Sequence, residues 1–479
     1  MTFHKENILS QILKRKYLII ITLITLIGGY LLFFYGKSHK IDIATTMLST
    51  FEKVSKLLPI EPDTQKEIEV ANTLTQTFTQ KDGKTHVFLV LLQNNFELRP
   101  GGGFLGQYAV IKVKDGTVVS HVIEDANLLD QRITVKVTPP WPLTRYAQIK
   151  RWKFRDSNFS PDFPTNAEKA QYFYRLSGGR EAFDGVIAVN ATVFDHLLAI
   201  TGPITIPGYH GIYTADGGAL QLEEAVEKAY LGDDVPLEAK QARKNIMKKI
   251  GAEMITRLTT IDNIPKIASI FQEELRDKNI MVFFKEPSLQ SLVASVHWDG
   301  SVTKDWNHDS LMIVDANLGA LKSDYFVKRS LEYSVDFTTG TRATATIAYT
   351  YNHTATYGDW RTSDYHTYTR VYTPKGSTYV ENSRQKTGGV ASQDDEAFNR
   401  TVFGYKVDAI MNQSLPTKIS YLLPESITEN NYKLLLQKQS GIGNIPVTIR
   451  VKTSKGELEQ TLELKKDLEL AIQEIEEKK

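Results

Sequence analysis

The stretch HVFLVLLQNNFELRPGGGFLGQY, residues 86–108, determines how the main part of the chain folds. Its first eight residues, His86 to Gln93, are almost continuously apolar, which is typical of a strand buried on both faces of a sheet. The next turn signal, Asp115-Gly116, lies between two strand-like runs and predicts a hairpin over residues 105–123. Helical and strand-like segments alternate further along, so the sequence predicts an α/β domain over residues 85–320.

Polar side chains and three glycines directly follow the buried strand. Consecutive glycines allow positive φ and leave backbone N–H groups bare, so the chain can close around a bound group. A tight hairpin turn with a surface pair between Glu97 and Arg99 fits the same residues equally well. The sequence therefore indicates a candidate ligand site here without defining its chemistry. Its residues are Asn94, Glu97, Arg99, Gly101, Gly102 and Gly103.

The predicted topology brings further polar residues towards this loop. Thr165 and Glu168 have the spacing of a capping box that opens a helix, and the run FDGVIAV predicts the parallel strand that follows it. Ligands of open α/β sheets bind outside the carboxyl ends of the strands, with helix N-termini favouring an anion. We therefore expect a shared rim that also contains Asp125, Arg155, Asp156 and Asn158.

Two interpretations of this rim stay open. Arginine suits bidentate recognition of phosphate or carboxylate, and paired aspartates can hold Mg²⁺, the one cofactor that we consider. An Arg–Asp pair buried in a loop is as often a structural clamp. Arg243 belongs to a solvated helix face unless it leans over the rim.

The sequence changes character near Leu321. Beyond this residue the hydrophobic pattern has period two with turn residues between the runs, which predicts an antiparallel β-sandwich over residues 321–460. Residues 461–479 read as a charged C-terminal tail. The resulting fold class is α/β followed by an antiparallel β-sandwich.

Tyr17 to Tyr35 is a run of 19 residues without a charge. At 1.5 Å per residue it nearly spans the roughly 30 Å hydrocarbon core of a bilayer, and aromatic residues stand at both ends. A cleaved signal peptide would have a shorter apolar region and a small-residue cleavage site. We therefore expect a single transmembrane helix at residues 17–35, a cytoplasmic tail at 1–16 and the remainder outside the cytoplasm. Residues 36–84 read as a helical stalk or as helices docked on the domain.

Composition excludes several classes of function. Lysine and arginine number 57 against 56 acidic residues, so no basic excess marks a nucleic-acid partner. The chain has no cysteine, which excludes disulfides, zinc–thiolate sites and thiol nucleophiles. Its ten histidines show no H-E-x-x-H spacing, and no nucleophilic triad is discernible.

The glycine-containing segment resembles the signature of the bacterial family called domain of unknown function 4012, roughly N-x-x-E-L-R-P-x-G-G-F-x-G. The matching residues are Asn94, Glu97, Leu98, Arg99, Pro100, Gly102, Gly103, Phe104 and Gly106. The resemblance continues in RDSNFSPDFP (155–164), FDGVIAVN (183–190), DANLGALKSDYFVKRS (315–330) and YKLLLQKQSG (432–441). It implies a membrane-anchored protein of the bacterial envelope, and the family carries no known activity.

The order of these motifs is also similar to the LytR–CpsA–Psr family, which transfers glycopolymers from polyprenyl-pyrophosphate carriers to the cell wall. In that family an acid-x-Arg pair follows the first strand, as Glu97 and Arg99 do here. Other positions depart from the pattern: a metal-binding aspartate is missing where this chain reads Gly-Gly-Phe-Leu-Gly. Whether the chain is an enzyme is therefore left open.

The resemblances lead to two expectations about function. The first is a membrane-bound envelope protein that binds or transfers a phosphorylated envelope lipid or a polyprenyl-phosphate-linked glycopolymer through loops 94–104 and 155–162. The second is a non-catalytic surface scaffold in which those loops clamp the fold and the β-sandwich engages partner proteins. The two are distinguished by whether Arg99, Asp125, Arg155 and Asp156 surround an open pocket or bury one another.

Overall fold

The computed structural model describes residues 40–56, 59–209, 211–228, 245–258, 264–382 and 389–475. The expected membrane span at residues 17–35 and the candidate site residue Arg243 lie outside these ranges. Among the described residues, no helix is both long enough and apolar enough to cross a membrane.

The described residues form a mixed α/β structure that is rich in strands. Its helices are α1 (Lys40–Ser55), α2 (Pro62–Thr79), α3 (Ala126–Arg132), α4 (Trp141–Ala147), α5 (Phe163–Leu176), α6 (Thr192–Thr201), α7 (Gly218–Lys228), α8 (Asn245–Leu258), α9 (Ile264–Arg276) and α10 (Pro287–Ala294). The strands before residue 300 are β1 (Thr85–Arg99), β2 (Gly102–Lys114), β3 (Thr117–Asp125), β4 (Gly185–Asn190) and β5 (Ile280–Phe284). The later strands are β6 (Asp309–Asn317), β7 (Val327–Asp336), β8 (Thr344–His353), β9 (Tyr365–Pro374), β10 (Thr378–Asn382), β11 (Ala391–Asp395), β12 (Arg400–Ala409), β13 (Gln413–Leu422), β14 (Lys433–Gln437), β15 (Ile445–Thr453), β16 (Gly456–Leu464) and β17 (Leu468–Ala471).

The first sheet has five strands in the order β3-β2-β1-β4-β5. The apolar run predicted to be a buried strand forms β1, and β4 lies parallel to it with Phe88 opposite Gly185. The predicted hairpin is confirmed: Asp115 and Gly116 connect β2 to β3 with φ of 49° and 77°. Positive φ at both turn residues matches the right-handed twist of the flanking strands. These contacts place the end of β1 beside the crossover segment that leads to β4.

The helix before β4 begins at a different cap from the one predicted. Asp162, not Thr165, is the N-cap of α5, because its carboxylate accepts the backbone N–H of Thr165 at 3.0 Å and the Thr165 hydroxyl at 2.6 Å. The Asp162 carboxylate also accepts the backbone N–H of Val302 at 3.0 Å. The cap therefore ties the start of α5 to a segment far along the chain, which sequence spacing does not reveal.

The C-terminal strands form a sandwich of two six-stranded sheets, in the orders β10-β13-β8-β7-β15-β16 and β11-β12-β9-β6-β14-β17. Side chains of both sheets share one apolar core, and Leu98 of β1 belongs to it. The antiparallel expectation is wrong at two places, because β14 pairs parallel to β6 and β15 pairs parallel to β7. More than one hundred residues separate the partners, so these strands join through long crossovers and not through hairpins.

The chain divides into two compact units. Of the described residues, one unit contains those up to residue 87, residues 111–121 and those between 194 and 271, and the other contains residues 88–110, residues 122–193 and those from 272 onwards. The second unit contains most of β1, all of β4 and β5, and the whole sandwich, so the boundary expected near residue 321 falls inside it. The predicted segment boundaries stay predictions. All of the candidate site described below lies within the second unit.

Candidate functional site

Arg99, the central residue of the expected rim, is enclosed by protein groups. Its side chain is 7% exposed and lies 2.9 Å from the Glu97 carboxylate and 3.3 Å from the Asp156 carboxylate. Its Nη1 donates to the backbone carbonyl of Asn317 at 2.9 Å. Burial alone would lower the pKa of Arg99, but the two carboxylates outweigh it and raise the pKa. Glu97, Arg99 and Asp156 therefore meet, and they bury one another.

This cluster continues into the sandwich. The backbone N–H of Leu98 donates to the Asp324 carboxylate at 2.9 Å. Asp324 in turn pairs with the fully buried Arg329 at 2.7 Å, and Arg329 reaches Asp315 at 2.9 Å. The end of β1 is thus fixed by a chain of buried ion pairs, which is the arrangement expected of a clamp.

The glycines serve close packing of the backbone. The N–H of Gly101 donates to the Asn158 carbonyl at 3.0 Å, and the Asn158 amide donates to the Gly103 carbonyl at 2.7 Å. A Cβ on Gly101 would collide with the Asn166 side chain. The predicted bare N–H groups are therefore wrong for Gly101, which the neighbouring loop satisfies.

The rest of the glycine run packs against the end of β1. Gly102 has φ of 125°, and a Cβ there would collide with the Gln93 side chain. The N–H of Gly103 donates to Gln93 Oε1 at 3.4 Å, so this group is not bare either. The carboxamide of Asn94 accepts the backbone N–H of Phe96 at 3.1 Å, so it makes a local contact within β1 and the expected loop at residues 94–99 is part of this strand.

The other expected rim residues have different partners. Asp125 is the N-cap of α3, where its carboxylate accepts the backbone N–H of Asn127 at 2.9 Å. Arg155 donates to the buried carboxylate of Asp130 at 2.7 Å. Asp125 and Arg155 are therefore engaged by groups other than Arg99, at the start of α3 and at Asp130. In the described ranges, no group of three acidic or histidine side chains is placed to hold a metal ion such as Mg²⁺.

An open cleft of about 350 Å³ lies on the other side of the 155–162 loop. One wall comes from residues 140–169 and the other from strands β9, β11 and β12 of the sandwich. Aromatic side chains dominate the lining: Trp141, Trp152, Phe159, Tyr368, Tyr372 and Phe398. Polar residues complete it: Ser157, Asn166, Lys169, Arg370, Gln393 and Asp395. Concave, largely aromatic surfaces with a few polar groups are typical of ligand sites.

Two cations of this cleft are held by aromatic rings. Lys169 Nζ is 4.7 Å from the ring centre of Trp152, and Arg370 Cζ is 5.2 Å from that of Phe159 and 5.7 Å from that of Tyr372. In the part of the chain that the structure describes, neither cation has a carboxylate within ion-pair distance. The cleft thus contains positive charge that the protein does not neutralise by direct pairing.

No pattern in the sequence indicates that these walls meet, because about two hundred residues separate them. The local signal was the segment TPPWP, residues 138–142, where a tryptophan stands among prolines and is 45% exposed in the structure. Large aromatic side chains on a surface loop often serve recognition. The candidate site therefore moves from the glycine segment to the cleft, and the 155–162 loop borders both.

The described residues form a mixed α/β protein with three mixed sheets. The charged glycine segment packs inside this fold, whereas the aromatic cleft is open to solvent. Residues 82–212 match the family model described as "Protein of unknown function (DUF4012)", so this segment is similar to that family. The search of curated proteins found no match.

Two solved structures are similar to part of this chain. Protein gbs0355 from Streptococcus agalactiae is 11% identical, with a TM-score of 0.26, over 45% of this chain and 74% of that one. Lin1025 protein from Listeria innocua is 13% identical, with a TM-score of 0.24, over 45% of this chain and 79% of that one.

Proposed function

We propose that the protein binds a phosphorylated lipid or glycopolymer of the bacterial cell envelope in the aromatic cleft. In this proposal residues 17–35 anchor the chain in the cell membrane and the bulk of it lies outside the cytoplasm. The uncharged run and the basic residues before it support the anchor. The motif order shared with the LytR–CpsA–Psr family supports an envelope ligand.

The internal contacts of Arg99 favour ligand binding over group transfer. In the LytR–CpsA–Psr comparison, the acid-x-Arg pair after the first strand corresponds to Glu97 and Arg99. In this protein the guanidinium of Arg99 binds Glu97, Asp156 and the carbonyl of Asn317. An arginine whose donors are committed to internal partners is a structural residue, so we place the ligand elsewhere.

The observation that carries the proposal is the cleft itself. Its volume of about 350 Å³ is at the lower end of the roughly 300–1,000 Å³ typical of ligand sites. A site of this size holds a short part of a long envelope molecule and leaves the remainder outside. Its aromatic walls offer contact area, and Lys169 and Arg370 favour a negatively charged group.

The test uses the full chain in lipid nanodiscs and the purified polyprenyl-phosphate-linked glycopolymer fraction of a bacterial envelope. Trp141→Ala removes an exposed wall of the cleft and should abolish most of the binding. Tyr357→Ala is the matched control, because Tyr357 is 65% exposed and does not line the cleft. Equal binding by both variants and the wild type would contradict the cleft as the site.

A second candidate is the non-catalytic surface scaffold, and the buried Arg99 cluster favours it. In this account loops 94–104 and 155–162 clamp the fold, and the β-sandwich engages partner proteins. Crosslinking on intact cells would then recover the same partners with wild type and with Trp141→Ala, and the glycopolymer fraction would not bind either protein.

A further inference from the structure

We propose that the cleft is selective for an acidic sugar, whose ring lies against the aromatic shelf and whose carboxylate or phosphate lies at Arg370. The aromatic shelf is the exposed ring of Trp141, which packs against the buried Tyr368. This inference rests on the proposed function, because it names the class of ligand that the cleft takes. It assigns the ring and the anion to different residues, so that each can be tested separately.

The case for an anion begins with Arg370. This residue lies on β9, is half-buried, and has its guanidinium against the rings of Phe159 and Tyr372. Its Nη2 donates to the Phe159 carbonyl at 3.0 Å, and among the described residues its Nε has no hydrogen-bond partner. A planar guanidinium that has no carboxylate partner and keeps N–H groups beyond the one held by Phe159 suits a carboxylate or phosphate, and partial burial strengthens the interaction.

A second cation of the cleft supports the same assignment. Lys169 contributes a second cation that contacts only the rings of Trp152 and Tyr172, at 4.7 and 5.1 Å, in the contacts that the structure describes. A bound anion would give both cations a counter-charge.

The case for a sugar ring rests on the aromatic shelf. Trp141 is 45% exposed and lines the cleft. Its ring is held edge to face against the buried Tyr368, with ring centres 5.0 Å apart, and Tyr146 stacks on Tyr368 at 5.6 Å. The electron-rich faces of such rings attract the C–H faces of sugars. Asp395 and Gln393 also line the cleft and provide acceptors for sugar hydroxyl groups. A hydrocarbon chain would leave these polar groups without partners.

The test compares galactose, galacturonate and galactose 6-phosphate, which share one ring and differ at C6. Two of the five tryptophans, Trp141 and Trp152, line the cleft, so quenching of tryptophan fluorescence reports binding to the full chain in nanodiscs. We expect the acidic sugars to bind about tenfold or more tightly than galactose, as a charge-assisted hydrogen bond implies. Added salt should reduce the difference. The ratio of the affinities for galacturonate and galactose 6-phosphate shows whether the site prefers a carboxylate or a phosphate.

Variants then locate the anion. Arg370→Gln should remove the preference for the acidic sugars and leave the weak binding of galactose, whereas Arg370→Lys should keep part of it. Lys452→Gln is the control, because Lys452 pairs with Asp336 on the other sheet of the sandwich. The melting temperature of each variant checks its folding. If Arg370→Gln does not fold, the single variants Arg370→Lys and Lys169→Gln are compared with the wild type instead.

Equal affinity for the three sugars would overturn this inference and leave the proposed function in place if the envelope fraction still binds. Inorganic phosphate that binds as tightly as galactose 6-phosphate would overturn the role of the ring. If neither the sugars nor the envelope fraction binds, the proposed function fails as well.

Discussion

Arg99 and Arg370 stand in the same compact unit and illustrate two opposite uses of an arginine. Arg99 is the last residue of the buried strand β1 and is enclosed by Glu97 and Asp156, with 7% of its side chain exposed. Arg370 borders a cleft, contacts aromatic rings such as Phe159, and has no carboxylate partner among the described residues. The first arginine contributes to the fold, whereas the second is available to a ligand.

The difference shows that a conspicuous motif and a functional site need not coincide. The segment ELRPGGG is the most distinctive part of the sequence, yet its charges and at least two of its glycine N–H groups have partners inside the protein. A cation is informative about function when the fold leaves it without a counter-charge, because proteins normally compensate buried charges. Variants of Arg99, Asp309 and Arg370 test this distinction, from the largest expected effect on stability to the smallest.

Arg99→Met should cause the largest loss of stability. The substitution leaves the buried Asp156 carboxylate and the partly exposed Glu97 carboxylate without their counter-charge, and breaking a buried pair costs about 3–5 kcal/mol. Denaturant unfolding of the variant measures the change. Arg450→Met is the control: it breaks the partly exposed pairs with Glu332 and Glu459 and should cost about 1 kcal/mol or less. A stable Arg99 variant that has lost ligand binding would reverse the roles assigned to the two arginines.

Asp309→Asn should stabilise the protein at neutral pH. Asp309 is fully buried in the sandwich and accepts the hydroxyls of Tyr333 and Tyr432 at 2.7 and 2.9 Å. Burial raises the pKa of this carboxyl to about 6. The folded state therefore resists ionisation, and the stability of the wild type should fall as pH rises from about 4 through 6. A shift of this size corresponds to roughly 3 kcal/mol above pH 6, as an upper bound.

The Asn variant keeps an acceptor for the tyrosines and removes the ionisation, so its stability should not show this decrease. Urea denaturation of both proteins at pH 4, 5, 6 and 7 measures the difference. A variant that is less stable than the wild type at pH 7 would show that the buried charge is compensated after all.

Arg370→Gln should have the smallest effect on stability. The substitution removes ring contacts and one hydrogen bond to the Phe159 carbonyl, but it leaves no carboxylate without a counter-charge among the described residues. We expect the free energy of unfolding to change by about 1 kcal/mol or less. Thermal unfolding of Arg370→Gln and of Arg99→Met under the same conditions measures the difference in stability between the two variants. A loss as large as that of the Arg99 variant would make Arg370 a second clamp.

Local features of the sequence were sufficient to predict the central elements. The apolar run before Asn94 predicts β1, and Asp115-Gly116 predicts the hairpin of β2 and β3, because both signals act over a few residues. The period-two pattern likewise predicts the strands of the sandwich. The sequence did not predict that Asp162 caps α5 through contacts that include Val302, since one of its partners is distant in the chain.

The arrangement of distant segments could not be derived from the same patterns. Nothing in the run KLLLQ of β14 specifies that it pairs parallel to β6, and no pattern links residues 140–169 to β9. For the same reason the sequence did not indicate that Arg155 pairs with Asp130 or that Asp125 caps α3. Predictions based on local periodicity locate elements, whereas partner choice among charged side chains depends on the complete fold.

Hydrogen–deuterium exchange measured by mass spectrometry tests the central claim most directly. The full chain in nanodiscs is compared with and without the purified envelope glycopolymer. We predict slower exchange in residues 140–169 and 391–404, which border the cleft, and unchanged exchange in residues 94–104. Protection of residues 94–104 with no change at the cleft would contradict the account and return the ligand to the glycine segment.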